Sequence, residues 1–191
     1  KDKLNEAETF LKNIAAKNGL ILFVGTRPAA KDIVKESATA LGMPYVTERW
    51  IGGTLTNFKT ISKRLEMLSS LEQKGAAGEF EKYTKKERLL FEKDILRLKH
   101  HFDGLRLLNR LPAALFVVNI PHDEIAVKEA VIMNIPVVAL TDTNANPKMI
   151  AHPIPSNDDS TSVIRYMLDR MVRAVEEGKA EALAPKPEIA S

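Results

Sequence analysis

The chain contains no cysteine among its 191 residues, which excludes disulfide bonds and thiolate metal sites. Aromatic residues account for only 6% of the sequence, with a single tryptophan, so aliphatic side chains must form most of the core. No apolar run approaches the roughly 20 residues that cross a bilayer, and we expect no contact with a membrane. At 45% hydrophobic content, the chain is long enough for one domain with a substantial core.

Recognisable catalytic and cofactor motifs are missing as well. The sequence has neither of the two common glycine-rich phosphate-binding patterns, and its four histidines lack the spacing of helical metal ligands. Asp158 and Asp159 open a predicted helix, where capping explains them better than paired-carboxylate catalysis. We therefore expect no enzyme, no cofactor and no metal. The alternative is a nucleotide- or small-molecule-binding α/β enzyme that uses Gly25, Arg27 and Asp142 at strand ends.

Two blocks of alternating strands and helices predict an α/β fold, with a mostly parallel sheet sandwiched by helices in the flavodoxin or Rossmann manner. Short, dense aliphatic runs are predicted as strands at 20–26, 44–48, 113–120 and 135–142. Apolar periodicity predicts helices at 2–17, 28–41, 122–134 and 156–178. The α/β domain is assigned to residues 1–53 and 111–178, and a flexible C-terminal tail to 179–191.

The segment 54–110 interrupts this alternation with helical periodicity. It predicts an inserted antiparallel helical hairpin that packs like a coiled coil. Apolar residues of the first arm recur every three or four positions from Leu55, and Thr56 or Asn57 is predicted to cap that arm. The run from Thr84 to Glu87 has the pattern of a capping box for the second arm.

Positive charge is concentrated in the same segment. It contains 13 lysines and arginines against 8 aspartates and glutamates, whereas the rest of the chain has 15 against 17. Cations can position a protein on phosphates, and exposed rings can stack on unpaired bases. The alternatives are a solvated pair of helices laced with charge, and a protein-docking hairpin that binds a partner helix.

The candidate RNA-binding residues cluster around the single tryptophan and along the predicted hairpin. They are Arg27, Arg49, Trp50, Thr54, Asn57, Lys59, Lys63, Arg64, Lys82, Lys85, Lys86 and Arg88. Trp50 is predicted first as an anchor of the joint between the sheet and the hairpin. It is a base-stacking group only if its ring is exposed.

Several longer motifs occur in order along the chain, namely LFVGTRPAA, ERWIGGTLTNFKTI, LPAALFVVN, HDEIAVKEA, IPVVALTDTNANP and IPSNDD. Together they resemble the bacterial-type family of protein 2 of the small ribosomal subunit. The resemblance implies a structural protein that binds small-subunit rRNA near the head–body junction. It also implies contacts with other small-subunit proteins, including the mRNA-binding first protein where one exists, and no homo-oligomer. It implies a cytoplasmic ribosome, with an organellar ribosome as the alternative.

The sequence departs from the family pattern in three respects. Family members usually begin with a further segment that carries a His-Phe-Gly-His-like element, so contacts made by that segment are unaccounted for. Pro28 stands where a basic or polar residue is common, which weakens that loop as a phosphate contact. Ser156 stands where glycine is usual, and the turn is expected to tolerate it.

Overall fold

The computed structural model describes residues 2–142 and 149–183. Its strands are β1 (Ile21–Val24), β2 (Tyr45–Val46), β3 (Ala114–Val117), β4 (Val137–Thr141) and β5 (His152–Pro155). They form one wholly parallel sheet in the order β2-β1-β3-β4-β5. The described α-helices are α1 (Asp2–Ala16), α2 (Pro28–Ala40), α3 (Phe58–Ala76), α4 (Lys85–Phe102), α5 (Glu124–Ile132) and α6 (Thr161–Leu183). The predicted α/β fold with a parallel sheet between helices is confirmed.

The two faces of the sheet belong to two separate apolar clusters, because successive strand residues point to opposite sides. Phe23 of β1 packs in the cluster that contains α1, α2 and α6, whereas Leu22 packs in the cluster on the other face. The register of β3 with β1 places Phe116 beside Phe23 and Leu115 beside Leu22. All four side chains are fully buried, as parallel strands covered on both faces require.

Helices α1 and α6 cross the first face in close contact. Leu11 of α1 and Met171 of α6 are both fully buried there. At Gly178 a Cβ atom would overlap the backbone carbonyl oxygen of Lys12. Glycine is therefore what allows the two helix backbones to approach this closely.

The second face is covered by α5 and by the base of the helical insertion. Ile61 and Leu68 of α3, with Leu98 and Phe102 of α4, pack in the same cluster as the strand residues. A crossover from one parallel strand to the next normally places a helix on the sheet. Here the base of the insertion between β2 and β3 supplies that helical layer, so its apolar seam is continuous with the domain core.

Helices α3 and α4 run in opposite directions. Glu72 of α3 pairs with Lys99 of α4 at 2.8 Å, while Phe80, further along the first arm, stacks on Phe91 with ring centroids 4.8 Å apart. As the first arm advances, its partners move back toward the start of the second arm. At the tip, Thr84 and Glu87 form the predicted capping box. Coiled-coil geometry, and the division of the chain into domains, stay predictions.

Both edges of the described sheet are poorly suited to pairing with a further strand. At the β5 edge, the N–H of Ser156 donates to the Thr141 carbonyl of β4, so the alternate positions 153 and 155 face outward. Both of these positions are proline, which has no N–H to offer. At the β2 edge, a Cβ atom on Gly104 would overlap the Tyr45 carbonyl oxygen, so the returning chain lies directly against β2.

Several boundaries differ from those expected. The strand β5 was not predicted, because its sequence HPIP has prolines at two of four positions. Helix α6 begins at Thr161 rather than 156 and continues to Leu183, past the predicted end at 178. Of the predicted tail, 184–191 lies outside the described residues, as does most of the loop predicted after β4, at 143–146. Within the described ranges, no helix combines the length and apolar character that crossing a membrane requires.

Candidate nucleic-acid interface

The joint between the sheet and the hairpin is built around one buried carboxylate. Glu129 of α5 accepts hydrogen bonds from the indole N–H of Trp50 at 3.1 Å and from the backbone N–H of Gly53 at 2.7 Å. Its second oxygen accepts from the N–H groups of Leu55 at 2.9 Å and Thr56 at 3.1 Å, and from the Thr56 hydroxyl at 3.2 Å. Burial alone would raise the pKa of Glu129, but these donors together lower it below its ordinary value.

Two of the predicted RNA-binding residues belong to this buried joint. The Trp50 side chain is only 6% exposed, so its ring is an anchor and is not presented for stacking on a base. Thr54 is 1% exposed, and its hydroxyl donates to the Ile51 carbonyl at 2.6 Å. Gly53 has a φ of +91°, which favours glycine at the turn where the chain changes direction.

The N-terminus of α3 differs from the predicted cap. Neither Thr56 nor Asn57 makes a side-chain hydrogen bond that caps the helix. The Thr56 hydroxyl donates to Glu129 instead, and the Asn57 side-chain oxygen accepts from the Thr60 hydroxyl at 2.9 Å. Asn57 itself is exposed, as a polar contact to RNA would require.

Exposed cations form two zones at opposite ends of the hairpin. The base zone consists of Arg49, Lys59, Lys63 and Arg64. The tip zone consists of Lys82, Lys85, Lys86 and Arg88. All eight side chains are exposed, and none forms an ion pair with another described residue. Beyond Arg64, α3 continues to Ala76, so roughly 18 Å of helix at 1.5 Å per residue separates the zones.

Several other cations of the described chain are engaged internally. Arg106 makes two hydrogen bonds to the Glu72 carboxylate, at 2.8 and 2.9 Å. Arg170 pairs with Glu8, and Arg27 pairs with Asp159. The structure therefore separates cations that hold the fold together from cations that face solvent.

The family model described as ribosomal protein S2 matches residues 1–178. The chain belongs to the ribosomal protein S2 family. It is 45% identical over 183 residues to the small ribosomal subunit protein uS2 of Mesoplasma florum, covering 96% of this chain and 69% of that protein. It is 42% identical over 189 residues to the proteins of the same name from two Thermus thermophilus strains, covering 99% of this chain and 74% of each.

Membership of the S2 family gives the broad function. The chain is a structural component of the small ribosomal subunit, not an enzyme, and it associates with the RNA and proteins of that subunit. The predicted family and ribosomal function are therefore confirmed. Which side chains contact the RNA remains a prediction.

The strand ends of this sheet carry carboxylates at the edge where a sheet of this type usually binds a nucleotide. Arg27 is paired with Asp159 and lies 3.9 Å from Asp158, and the Thr26 hydroxyl donates to Asp123 at 2.6 Å. Burial is the main cause that raises the pKa of Asp158, and the charges of Asp159 and Asp142 raise it further. This concentration of carboxylates disfavours phosphate at the edge where nucleotides usually bind.

The glycine that follows β1 has a packing role. A Cβ atom on Gly25 would lie 2.7 Å from Cγ2 of Val34 and 3.2 Å from Cβ of Ala30. Gly25 thus allows α2 to pack closely on the strand. Among the described residues, this loop offers no support for the alternative of a nucleotide-binding enzyme.

The most connected residue of the joint, Glu129, was not identified from the sequence. It lies in a helix predicted from its apolar periodicity, and its partners are 73 to 79 positions away in the chain. One signal was present: Glu129 follows Ala126 by three positions, which puts a carboxylate on the buried side of α5. A buried acid needs donors, so that position could have been recognised as a contact site.

Proposed function

We propose that the protein binds small-subunit rRNA through the two cationic zones of its hairpin. The observation that carries the proposal is that all eight side chains are exposed and have no ion-pair partner among the described residues. An unpaired, hydrated cation can neutralise a phosphate and release counterions without first breaking an internal ion pair. Arg27, also predicted as a contact, contributes less because it is paired with Asp159.

The separation of the zones favours contact with two distinct RNA segments. Roughly 18 Å of helix lies between them, which is longer than one side chain can span. Between the zones, the exposed residues of α3 include Glu66, Met67, Ser69, Ser70 and Gln73. One further exposed cation, Lys74, lies in the last turn of α3 near the tip. The base zone positions the domain on one RNA element, and the tip zone reaches a second.

The tip also carries apolar side chains that suit contact with a protein neighbour. Leu89 is 57% exposed and Leu90 is 54% exposed, next to the cations of the tip. The proposal therefore includes a neighbouring small-subunit protein, such as the mRNA-binding first protein where one exists. It also includes a cytoplasmic ribosome that takes up the chain as a monomer.

The test is charge reversal at the tip with a matched control. The double variant Lys85→Glu/Lys86→Glu is expected to weaken binding to small-subunit rRNA. The log of its association constant should also fall less steeply with the log of the salt concentration, by about 1 in slope per lysine. The control Lys17→Glu/Arg173→Glu changes the net charge equally at two exposed cations outside the hairpin, which form no ion pair with another described residue. Filter binding over a salt series measures both quantities.

The two variants separate local contact from overall charge. Equal losses of affinity would mean that only the net charge matters, and the proposed surface would be wrong. An unchanged affinity and slope for the tip variant would remove the tip zone from the interface. Circular dichroism of both variants checks that the fold is retained, which is expected because Lys85 and Lys86 are exposed.

A further inference from the structure

The loop 50–56 converges on Glu129 in the manner of an anion-binding nest. Three backbone N–H groups, one indole N–H and one hydroxyl all point at a single carboxylate. In nucleotide-binding proteins such nests hold a phosphate, and here the protein fills the nest from its own α5. Among the described residues, the N–H groups of Gly53, Leu55 and Thr56 have no acceptor other than this carboxylate.

We propose that Glu129 is a positioning residue for RNA binding, because its carboxylate fills the anion nest of the 50–56 loop and thereby fixes the direction in which the hairpin leaves the sheet. This inference rests on the function proposed above. It adds that the orientation of the cationic zones is set by a residue in the C-terminal half of the chain, outside the hairpin itself.

The position of the nest makes orientation its main effect. Arg49 precedes the loop, while Lys59, Lys63 and Arg64 lie in the first two turns of the helix that follows it. Every cation of the base zone is therefore placed by this loop. A tilt of 10° at the loop would move the far end of α3 by about 5 Å, given the length of the helix.

The hairpin has a second attachment that should preserve the fold when the nest is emptied. Phe102 at the end of the second arm and Leu105 just after it are buried in the core cluster, and Gly104 lies against the Tyr45 carbonyl. The first arm is held by the nest and by Leu55, Ile61 and Leu68 of the same cluster. Loss of the carboxylate therefore loosens the start of the first arm, while the end of the second arm stays packed on the domain.

Truncation of the side chain creates a defined ligand site. Glu129→Ala removes a fragment the size of acetate and leaves its five donors in place. The emptied nest should take up a small carboxylate, and acetate is the probe. Trp50 is the only tryptophan of the chain, and its indole N–H is one of the donors, so its fluorescence reports on the nest directly.

The experiment uses the full chain and two readouts. In Glu129→Ala, the Trp50 emission is expected to shift, and acetate should reverse the shift saturably while chloride at equal ionic strength does not. The affinity for small-subunit rRNA is expected to fall about tenfold and to recover with acetate at matched ionic strength, because the base-zone phosphate contacts return. The control Glu124→Ala removes an exposed carboxylate of the same helix and should change neither readout.

Each outcome bears on a different part of the proposal. A Trp50 signal that does not respond to acetate would overturn the nest as an anion site. A saturable acetate response with unchanged RNA affinity would overturn the positioning role, while the charge-reversal test at the tip still decides the proposed function. If Glu129→Ala does not fold, Glu129→Gln keeps the shape and replaces one acceptor oxygen by a donor; wild-type RNA affinity and emission in that variant would overturn the proposal.

Discussion

The ion-pair cluster of Glu72 gives the sharpest test of how the hairpin is held together. Its carboxylate accepts two hydrogen bonds from Arg106 and pairs with Lys99 at 2.8 Å, so it joins the first arm to the second arm and to the segment that follows. Arg106, then Lys99, lower the pKa of Glu72 to about 2 from an ordinary 4.5. The perturbation is Glu72→Gln, which keeps the size of the side chain and removes its charge.

The expected loss of stability follows from this shift in pKa. One pKa unit corresponds to about 1.4 kcal/mol, so the full shift from 4.5 to about 2 would be about 3–4 kcal/mol. Because the Glu72 side chain is 27% exposed and the Lys99 side chain 46% exposed, solvent screens part of the interaction. We expect Glu72→Gln to lower the free energy of unfolding by about 1–2 kcal/mol at pH 7.

The pH dependence identifies the cause. A carboxyl with a depressed pKa in the folded state contributes its stability above the unfolded value, near 4.5 here, and loses it as pH falls through the folded value, about 2. The difference between wild type and Glu72→Gln should therefore be constant from pH 7 to pH 6. At pH 3 it should shrink to about half or less.

Urea unfolding at pH 7, 5 and 3 measures this difference. The control is Glu66→Gln, an acid on the same helix that is exposed and forms no ion pair with another described residue. A difference that does not change with pH would show that the glutamine packs badly and that charge is irrelevant. No difference at pH 7 would show that the cluster contributes nothing to stability.

Three further substitutions test backbone features of the fold by urea or thermal unfolding. Gly178→Ala should destabilise the protein by about 2 kcal/mol or more, because the new methyl overlaps the Lys12 carbonyl and the helices must separate; an unaltered midpoint would contradict this close approach. Gly104→Ala should likewise destabilise the fold by about 1–3 kcal/mol and weaken RNA binding, since it forces the returning arm away from Tyr45; wild-type stability would mean that the contact is not tight. Thr84→Ala removes the capping box at the tip and should cost about 1 kcal/mol, and no loss would imply that the tip is frayed in the wild type.

The features that the sequence predicts are those that depend on residues close together in the chain. The strands β1, β3 and β4 were predictable because each is a short aliphatic run buried on both faces. The capping box at Thr84 was predictable because its partners are three residues apart. Such features are determined by neighbours in the chain, and a single sequence displays them directly.

The features that escaped prediction depend on distant partners. The hydroxyl of Thr56 is predicted to cap α3, but it donates instead to the carboxylate of Glu129, 73 positions away in the chain. The sequence left two roles possible for Trp50, an anchor of the joint or a base-stacking group. Its burial and its hydrogen bond to Glu129 favour the anchor. Local pattern can identify a residue able to make a contact, but it cannot choose between two partners.

The candidate RNA surface divides along the same line. The sequence identified a basic segment that is compatible with an anionic partner, and it left a solvated pair of helices and a protein-docking hairpin open as alternatives. It could not separate Arg27, which is tied to Asp159, from Lys85, which has no ion-pair partner in the described part of the chain. That distinction requires the three-dimensional arrangement of the carboxylates.

The prolines of the outer strand have a consequence for the chain before it joins a subunit. A free protein with an open sheet edge can recruit strands from other copies and aggregate. Pro153 and Pro155 remove the outward N–H donors of β5, and the backbone at Gly104 occupies the opposite edge. Within the described residues, neither edge of the sheet therefore offers the full set of donors and acceptors that pairing with another strand needs. These edges thus disfavour aggregation of the free chain by addition of strands to its sheet.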